Sequence, residues 1–330
     1  MNAITPLDTD GGSDSAPTPG AAAQKLIAAV KANPSEPLFA VVDGARYGNL
    51  PRLLDMQGLT GRSLFLDHAD AEIEAASGWL VPLGGEADLA RLLEVSDETC
   101  SSLVLWFCPL GETALHRHVR TINVVRIPSD AIPDNNLVAD ADPGEDPEKT
   151  SRPEYGNVLF RHYDPDVLGA LLPLLDEAQF ARIFGPATRI VMFSQGHGGL
   201  CTAPRPENLP IAPRGLLTIS AGQIDDLKLA MGEARDMRVA AYLRKSAPEA
   251  AAKLDDHQLA NFVAASQASG HELGLTTERA QGFWAYMMLN SRGKIARDEV
   301  VRDYIVKKKK KGTPDDKMYN LMGELAKASS

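Results

Sequence analysis

PLFAVVDGARYGNLPRLL, residues 37–54, decides how the rest of the chain is read. The apolar run Leu38-Phe39-Ala40-Val41-Val42 has strand length and ends at a carboxylate, Asp43. Asp43-Gly44-Ala45-Arg46 then supplies a turn glycine and a capping acid, and residues 47–57 carry helix-period apolar spacing. The stretch therefore reads as strand, turn, helix. The same alternation repeats outward along the chain. Candidate strands lie at 62–66, 79–83, 103–107, 122–127, 158–163 and 189–193, with helix-period stretches near 86–95, 112–120 and 165–182. Strands alternating with helices predict an α/β lobe, a mixed sheet with flanking helices, over residues 21–193.

Other segments have a different texture. Residues 1–20 hold Asp, Ser, Gly, Thr and Pro and no Lys or Arg, a composition expected to stay disordered. Residues 128–156 are expected to form an acidic loop insert: prolines stand at 128, 133, 143, 147 and 153, and seven acidic residues but no basic one fall within 129–148. Residues 194–215, rich in Gly and Pro, read as a linker. Beyond it strand signals stop. Ser220-Ala-Gly-Gln223 is a capping box, and apolar residues recur at helical spacing through Ile224, Leu227, Met231 and Ala234. Leu259, Phe262 and Val263, then Ala280, Phe283, Trp284, Met287 and Met288, continue the pattern, so 216–306 is expected to be a smaller all-helical lobe. A Lys-rich tail, 307–330, follows, with Pro314 placed to start one short helix through Met318 and Leu321.

The charge is uneven. Thirty-four Lys and Arg against 44 Asp and Glu give −10 over 330 residues, which argues against general nucleic-acid affinity. Residues 291–330 carry eleven basic and six acidic side chains, so the +5 C-terminal segment follows a body of −15. The five lysines at 307–311 suit a solvated helix end, or contact with an anionic surface. Three unpaired-looking cysteines, Cys100, Cys108 and Cys201, indicate neither a disulfide framework nor a thiolate zinc site and fit a reducing cytosol. No signal peptide is expected at the N-terminus. Apolar runs of about five residues fall far short of the roughly 20 a membrane span needs.

Catalytic motifs are sparse. Neither a phosphate-binding loop nor a G-x-G-x-x-G turn is present. His197-Gly198-Gly199 starts like an oxyanion segment, but Leu200 replaces the third glycine and no G-x-S-x-G elbow occurs, so a flexible linker accounts for it better. His116 and His118 stand at i and i+2 on a helix and point to different faces, which disfavours a metal pair. Asp164-Pro165 reads as an N-cap aspartate followed by an N1 proline. The stripe of Phe283, Trp284, Met287 and Met288 reads as core, with a partner-binding face as the alternative.

Six segments together resemble the type VI secretion effector chaperones, also called adaptor proteins. They are PLFAVVDGARYGNLPRLL (37–54), RSLFL (62–66), GWLVPL (78–83), the helix with HRHVR (116–120), VLFRHYDPDVL (158–168) and QFARIFGPA (179–187). The resemblance runs over residues 36–193, and HELGLTTERAQGFWAYMML in the helical lobe is similar to the family's C-terminal half. It implies a cytoplasmic, non-catalytic chaperone that uses no cofactor and no metal. Such a protein binds a cognate secreted effector, stabilises it and promotes its loading onto a VgrG-type spike. Within it Asp43, Gly44, Arg161, Asp164 and Pro165 would be fold-defining. Phe262, Phe283, Trp284, Met287 and Met288 are the expected partner contacts. The alternative is a hydrolase using the strand-end carboxylates Asp43 and Asp164 with His116 or His118, which requires those groups to converge within hydrogen-bond reach.

Overall fold

In a computed structural model, which describes residues 5–6, 20–33, 35–65, 70–96, 99–132, 154–307 and 312–328, the run after Pro37 forms β2 (Leu38–Asp43). All six of its residues are buried, because β2 has a hydrogen-bonded neighbour on each side and a packed layer on each face. On one side it pairs with β4 (Gly78–Leu83), Leu38 opposite Leu83 and Asp43 opposite Gly78. On the other it pairs with β5 (Leu103–Phe107), Val42 opposite Leu103. β8 (Arg189–Ser194) and β9 (Gly199–Pro204) extend the sheet beyond β5, with β1 (Thr5–Pro6) outermost, and β3 (Arg62–Ser63) lies outside β4.

Every pairing in this seven-stranded sheet is antiparallel. Mixed pairing belongs to a second, three-stranded sheet in which β6 (Val124–Pro128) runs antiparallel to β7 (Tyr155–Leu159) and parallel to β10 (Leu217–Thr218). Strand side chains alternate between faces. Phe39, Val41, Leu80, Val104, Trp106, Ile190 and Met192 thus join one core, with Leu115 and Val119 of α5 (Gly111–Arg120), Leu168 of α6 (Pro165–Leu171) and Phe180 and Phe184 of α7 (Glu177–Phe184). Leu38, Ala40, Val42, Leu105 and Phe107 face the other way. They meet Leu26 and Val30 of α1 (Ala21–Lys31), Leu50 and Leu54 of α2 (Leu50–Met56) and Leu89 and Leu92 of α4 (Glu86–Glu94), while the short α3 (Ala71–Ala75) precedes β4. Fully burying each such side chain contributes about 1.5–3 kcal/mol, so these two layers outweigh any single polar contact in the lobe.

The expected helix 165–182 is broken. Pro173 cannot donate to a helix interior, so the chain tightens at 172–174 and restarts as α7 under a capping box of Asp176 and Gln179. The stretch 194–215, expected as a linker, contributes β9 to the main sheet. Gly198 and Gly199, at φ 84° and 101°, make the reversal that lets 199–204 fold back on β8. The N-terminal tail beyond Thr5 and Pro6 and most of the acidic insert, 133–153, lie outside the described residues. No helix among the described residues is long and apolar enough to cross a membrane.

The chain divides into two compact units at Met231 and Gly232, within α8 (Ala221–Ser246) rather than before it. Ser220 and Gln223 cap that helix reciprocally, as their spacing predicts. The second unit is all-helical: the end of α8, then α9 (Pro248–Ala251), α10 (Asp256–Glu272), α11 (Glu278–Asn290), α12 (Glu299–Val306) and α13 (Pro314–Ala328). At Gly270 a Cβ would lie 2.2 Å from Oε1 of the buried Gln281, whose side chain fills the space over this glycine between α10 and α11. The C-terminal tail is not loose throughout. Met318 of α13 is buried in the core of this unit, and Asp315 accepts from the Thr276 and Thr277 amides (3.0 Å each). Lys317 Nζ donates to the carbonyls of Ile305 (3.1 Å) and Lys307 (2.9 Å), satisfying the end of α12. Lys308–311 fall outside the described residues.

Candidate functional site

Two sequence motifs 118 residues apart close on one point at the end of β2. Asp43 is the last residue of that strand and is 1% exposed. Its amide donates to Ser102 O (2.8 Å), and the Gly44 amide donates to Ser77 O (2.8 Å), so the strand end is gripped from both sides. Asp43 Oδ1 accepts from the Ala45 amide (3.2 Å), capping the tight turn 44–46. A Cβ on Gly44 would lie 2.2 Å from Ala75 O and 2.5 Å from Ser77 O. Glycine is required there by close backbone approach, not by its dihedral freedom.

The second motif arrives after β7. The Phe160 amide donates to Asn123 O (2.7 Å), and a turn closed by the Asp164 amide on Arg161 O (2.9 Å) swings the Arg161 side chain towards β2. Arg161 Nη2 donates to Asp43 Oδ2. The same guanidinium lies 6.0 Å from the Tyr163 ring. Asp164 Oδ1 accepts from the Asp166 (3.0 Å) and Val167 (3.4 Å) amides, and Pro165 occupies the first turn of α6, buried. Arg46 completes the set, its Nε 3.6 Å from Asp43 Oδ2 and its Nη2 3.9 Å from Asp164 Oδ2. The charges therefore alternate along Asp164, Arg46, Asp43, Arg161. Each arginine is 43% exposed.

Burial raises the Asp164 carboxyl above the ordinary carboxylate value, and the negative charge of Asp166 adds to it, against the pull of Arg161 and Arg46. The Tyr163 phenol is likewise raised, first by burial and then by Asp43. Hydroxyls line the same end of the sheet: Tyr47 OH lies 2.7 Å from Ser102 Oγ, and Ser63 Oγ 2.9 Å from Ser77 Oγ. Cys100, just before β5, holds an uncommon non-glycine φ of 51°.

The histidines of the hydrolase reading do not join this cluster. His116 Nε2 donates to Ser63 O (2.9 Å) and His118 Nε2 to Ile183 O (2.7 Å). Among the described residues no hydrogen bond or ion pair connects either one to Asp43 or Asp164, whose side chains meet arginines and backbone amides instead. Burial lowers His118 to about 4 and His162 to about 3. His162 is fully enclosed: its Nε2 donates to Asn123 Oδ1 (2.9 Å), its ring meets Trp106 edge-on, and its Nδ1 makes no well-formed hydrogen bond among the described residues. No three His, Cys, Asp or Glu side chains among the described residues are placed to hold a metal ion.

The five expected partner contacts are distributed differently from one exposed stripe. Trp284 is 0% exposed, and Met287 and Met288 are buried with it against Leu273, Leu275, Ile305 and Met318, so these three are core. Phe262 and Phe283 are half-buried. Phe283 packs edge-on against Tyr319 (6.0 Å between centroids), and the Arg279 guanidinium lies 5.4 Å from both rings. The residue missed from the motif set is Arg46. Its signal was a cation three positions after a strand-end aspartate, close enough across a tight turn to meet it.

A family model described as a domain of unknown function, DUF4123, matches residues 38–132, less than a third of the chain. No curated protein and no solved structure matches it. The matched segment holds Asp43, Gly44 and Arg46. Arg161, Asp164 and Pro165 lie beyond it.

Proposed function

We propose that this chain is a type VI secretion effector chaperone: a cytosolic adaptor, without catalytic activity of its own, that binds a cognate secreted effector, stabilises it and promotes its loading onto a VgrG-type spike. One observation carries the reading. The motif inside the matched domain, Asp43-Gly44-Ala45-Arg46, and the motif beyond it, Arg161 to Pro165, interlock through Arg161 and Asp43. Segments whose order gives the resemblance to the chaperones thus form one physical unit, which is what a shared fold over 36–193 requires. An Asp43 already engaged by two guanidiniums and a backbone amide suits a structural clamp more than a general base.

The work of such a chaperone is to cover apolar effector surface. In the helical unit the half-buried Phe262, Phe283 and Tyr319, with Arg279 against two of these rings, are the aromatic and cationic side chains suited to it. A stable complex of this kind buries about 1,200–2,000 Å² in total. The test is a pull-down of the tagged full chain from its native cell, with the bound proteins identified by mass spectrometry. A large effector, with or without a spike protein, is expected; recovery of neither by folded bait overturns the reading.

A further inference from the structure

Residues 205–216 form a largely exposed strap between β9 and β10. Its sequence is RPENLPIAPRGL. At one end the Arg205 amide donates to Thr188 O (2.8 Å) and its guanidinium to Gly185 O; at the other, Arg182 Nε donates to Gly215 O (3.1 Å). Between these anchors no backbone-to-backbone hydrogen bond among the described residues involves 210–216.

Covalent chemistry nevertheless restrains this segment. Pro210 and Pro213 fix their own φ, and each biases the residue before it, Leu209 and Ala212, towards extended backbone. Four of the six residues 209–214 are thereby held near polyproline geometry, which repeats every three residues. Burial follows that period. Leu209 and Ala212 are half-buried, Leu209 packing on the core, whereas Pro210, Ile211, Pro213 and Arg214 are all exposed. Pro210 and Pro213 form one outward ridge, Ile211 and Arg214 the next. Ile211 is 97% exposed, more than any other large apolar side chain described, and Arg214 forms no ion pair among the described residues.

An isolated apolar side chain on a surface carries no message. Here two prolines, an isoleucine and a cation that forms no ion pair among the described residues stand on a strap whose proline and pre-proline positions have narrowed backbone freedom before any partner arrives. We infer that 209–214 is a docking ligand, presented to a groove in the bound effector that is floored by aromatic side chains and carries a carboxylate at its rim. Aromatic floors take up proline ridges, and the rim acid pairs with Arg214. The partner's identity rests on the chaperone reading; the strap's chemistry does not.

The test uses the full chain and the effector it co-purifies with, measured by titration calorimetry against wild type, Ile211→Asp, Arg214→Glu and the double variant Pro210→Gly, Pro213→Gly. Unchanged melting temperatures establish that each variant is folded. Loss of an aromatic-seated anchor or of pre-ordering is expected to weaken binding about tenfold or more. Arg214→Glu is expected to weaken it at low salt by more than at high salt. If wild type and all variants bind equally, the strap is not the ligand and the chaperone reading stands. If wild type binds no effector, both fall. Self-association of wild type that Ile211→Asp abolishes would assign the strap to a second copy and overturn the effector groove.

Discussion

Replacing Gly44 by alanine adds one carbon where two backbone oxygens already stand, 2.2 Å and 2.5 Å away. An ordinary carbon-to-oxygen contact is about 3.3 Å, so the turn must part from the segment 75–77 by about 1 Å. Neither oxygen belongs to a flexible side chain, and the Gly44 amide bond to Ser77 O ties the two segments together at 2.8 Å. Overpacking of this kind costs about 1–3 kcal/mol, and loosening the hydrogen bond about 1 more. Gly44 has no positive φ, so alanine also gains about 0.4–1 kcal/mol from a stiffer unfolded chain. The net is a loss of about 1–3.5 kcal/mol, read as a fall of about 2–14 °C in the melting of the α/β unit by calorimetry. Gly232, inside α8 with nothing within 4 Å of a built Cβ, is the control of opposite sign: alanine there should stabilise by about 0.5–1 kcal/mol. An unchanged or raised melting temperature for Gly44→Ala would refute the close-approach argument.

Arg161→Met leaves Asp43 buried with only the Ala45 amide and the longer contact to Arg46; because Arg161 is itself half-exposed, the expected loss is about 2–3 kcal/mol in urea unfolding. A double-mutant cycle with Asp43→Ala should give a coupling above about 1 kcal/mol, and additivity would show that the pair does not clamp the two motifs. Acid should act through the half-buried His118 and the fully enclosed His162. His118 and His162 are lowered to about 4 and about 3 from 6.5, so the unfolded chain takes up protons near 6.5 that the folded chain refuses. Their stabilising contribution is complete above pH 6.5 and is lost as pH falls, by about 2 kcal/mol each at pH 5. Asp164, raised, has the opposite sign, so the measurement is the difference in pH slope between wild type and His118→Gln; identical slopes would contradict it. All three cysteines are buried, and burial pushes Cys201 up to about 11. No thiol should react with a maleimide at neutral pH until denaturant is added, and rapid labelling of Cys201 in the native state would show the β8–β9 hairpin to be open.

How much the chain disclosed in advance depended on whether the signal was local. β2, β4, β5 and β8 appeared at nearly their observed places because a strand buried on both faces is a continuous apolar run. The caps at Asp164 and at Ser220 with Gln223 were legible for the same reason: they are set by neighbours within three residues. Strand direction was not. Every neighbour in the main sheet is antiparallel while β6 and β10 pair in parallel, and nothing in one strand's sequence records its partner's direction. β9 was hidden by its flanking glycines and proline, which resemble a linker until the hairpin is seen. α1 went unassigned although Ala22, Leu26 and Val30 repeat at four-residue spacing, because three alanines at 21–23 blur the apolar face. Asp43 and Arg161 were each visible as motif residues. Their contact, across 118 positions, belongs to the fold and could not be read from either motif alone.

The chaperone proposal meets its most direct test when the full chain is co-expressed with the candidate effector recovered in the pull-down, and the pair is examined by size-exclusion chromatography with light scattering. The account predicts a single complex of fixed stoichiometry and an effector that is soluble with the chain and aggregated or degraded without it. Separate elution of two folded proteins, with effector solubility the same in both cultures, would contradict it.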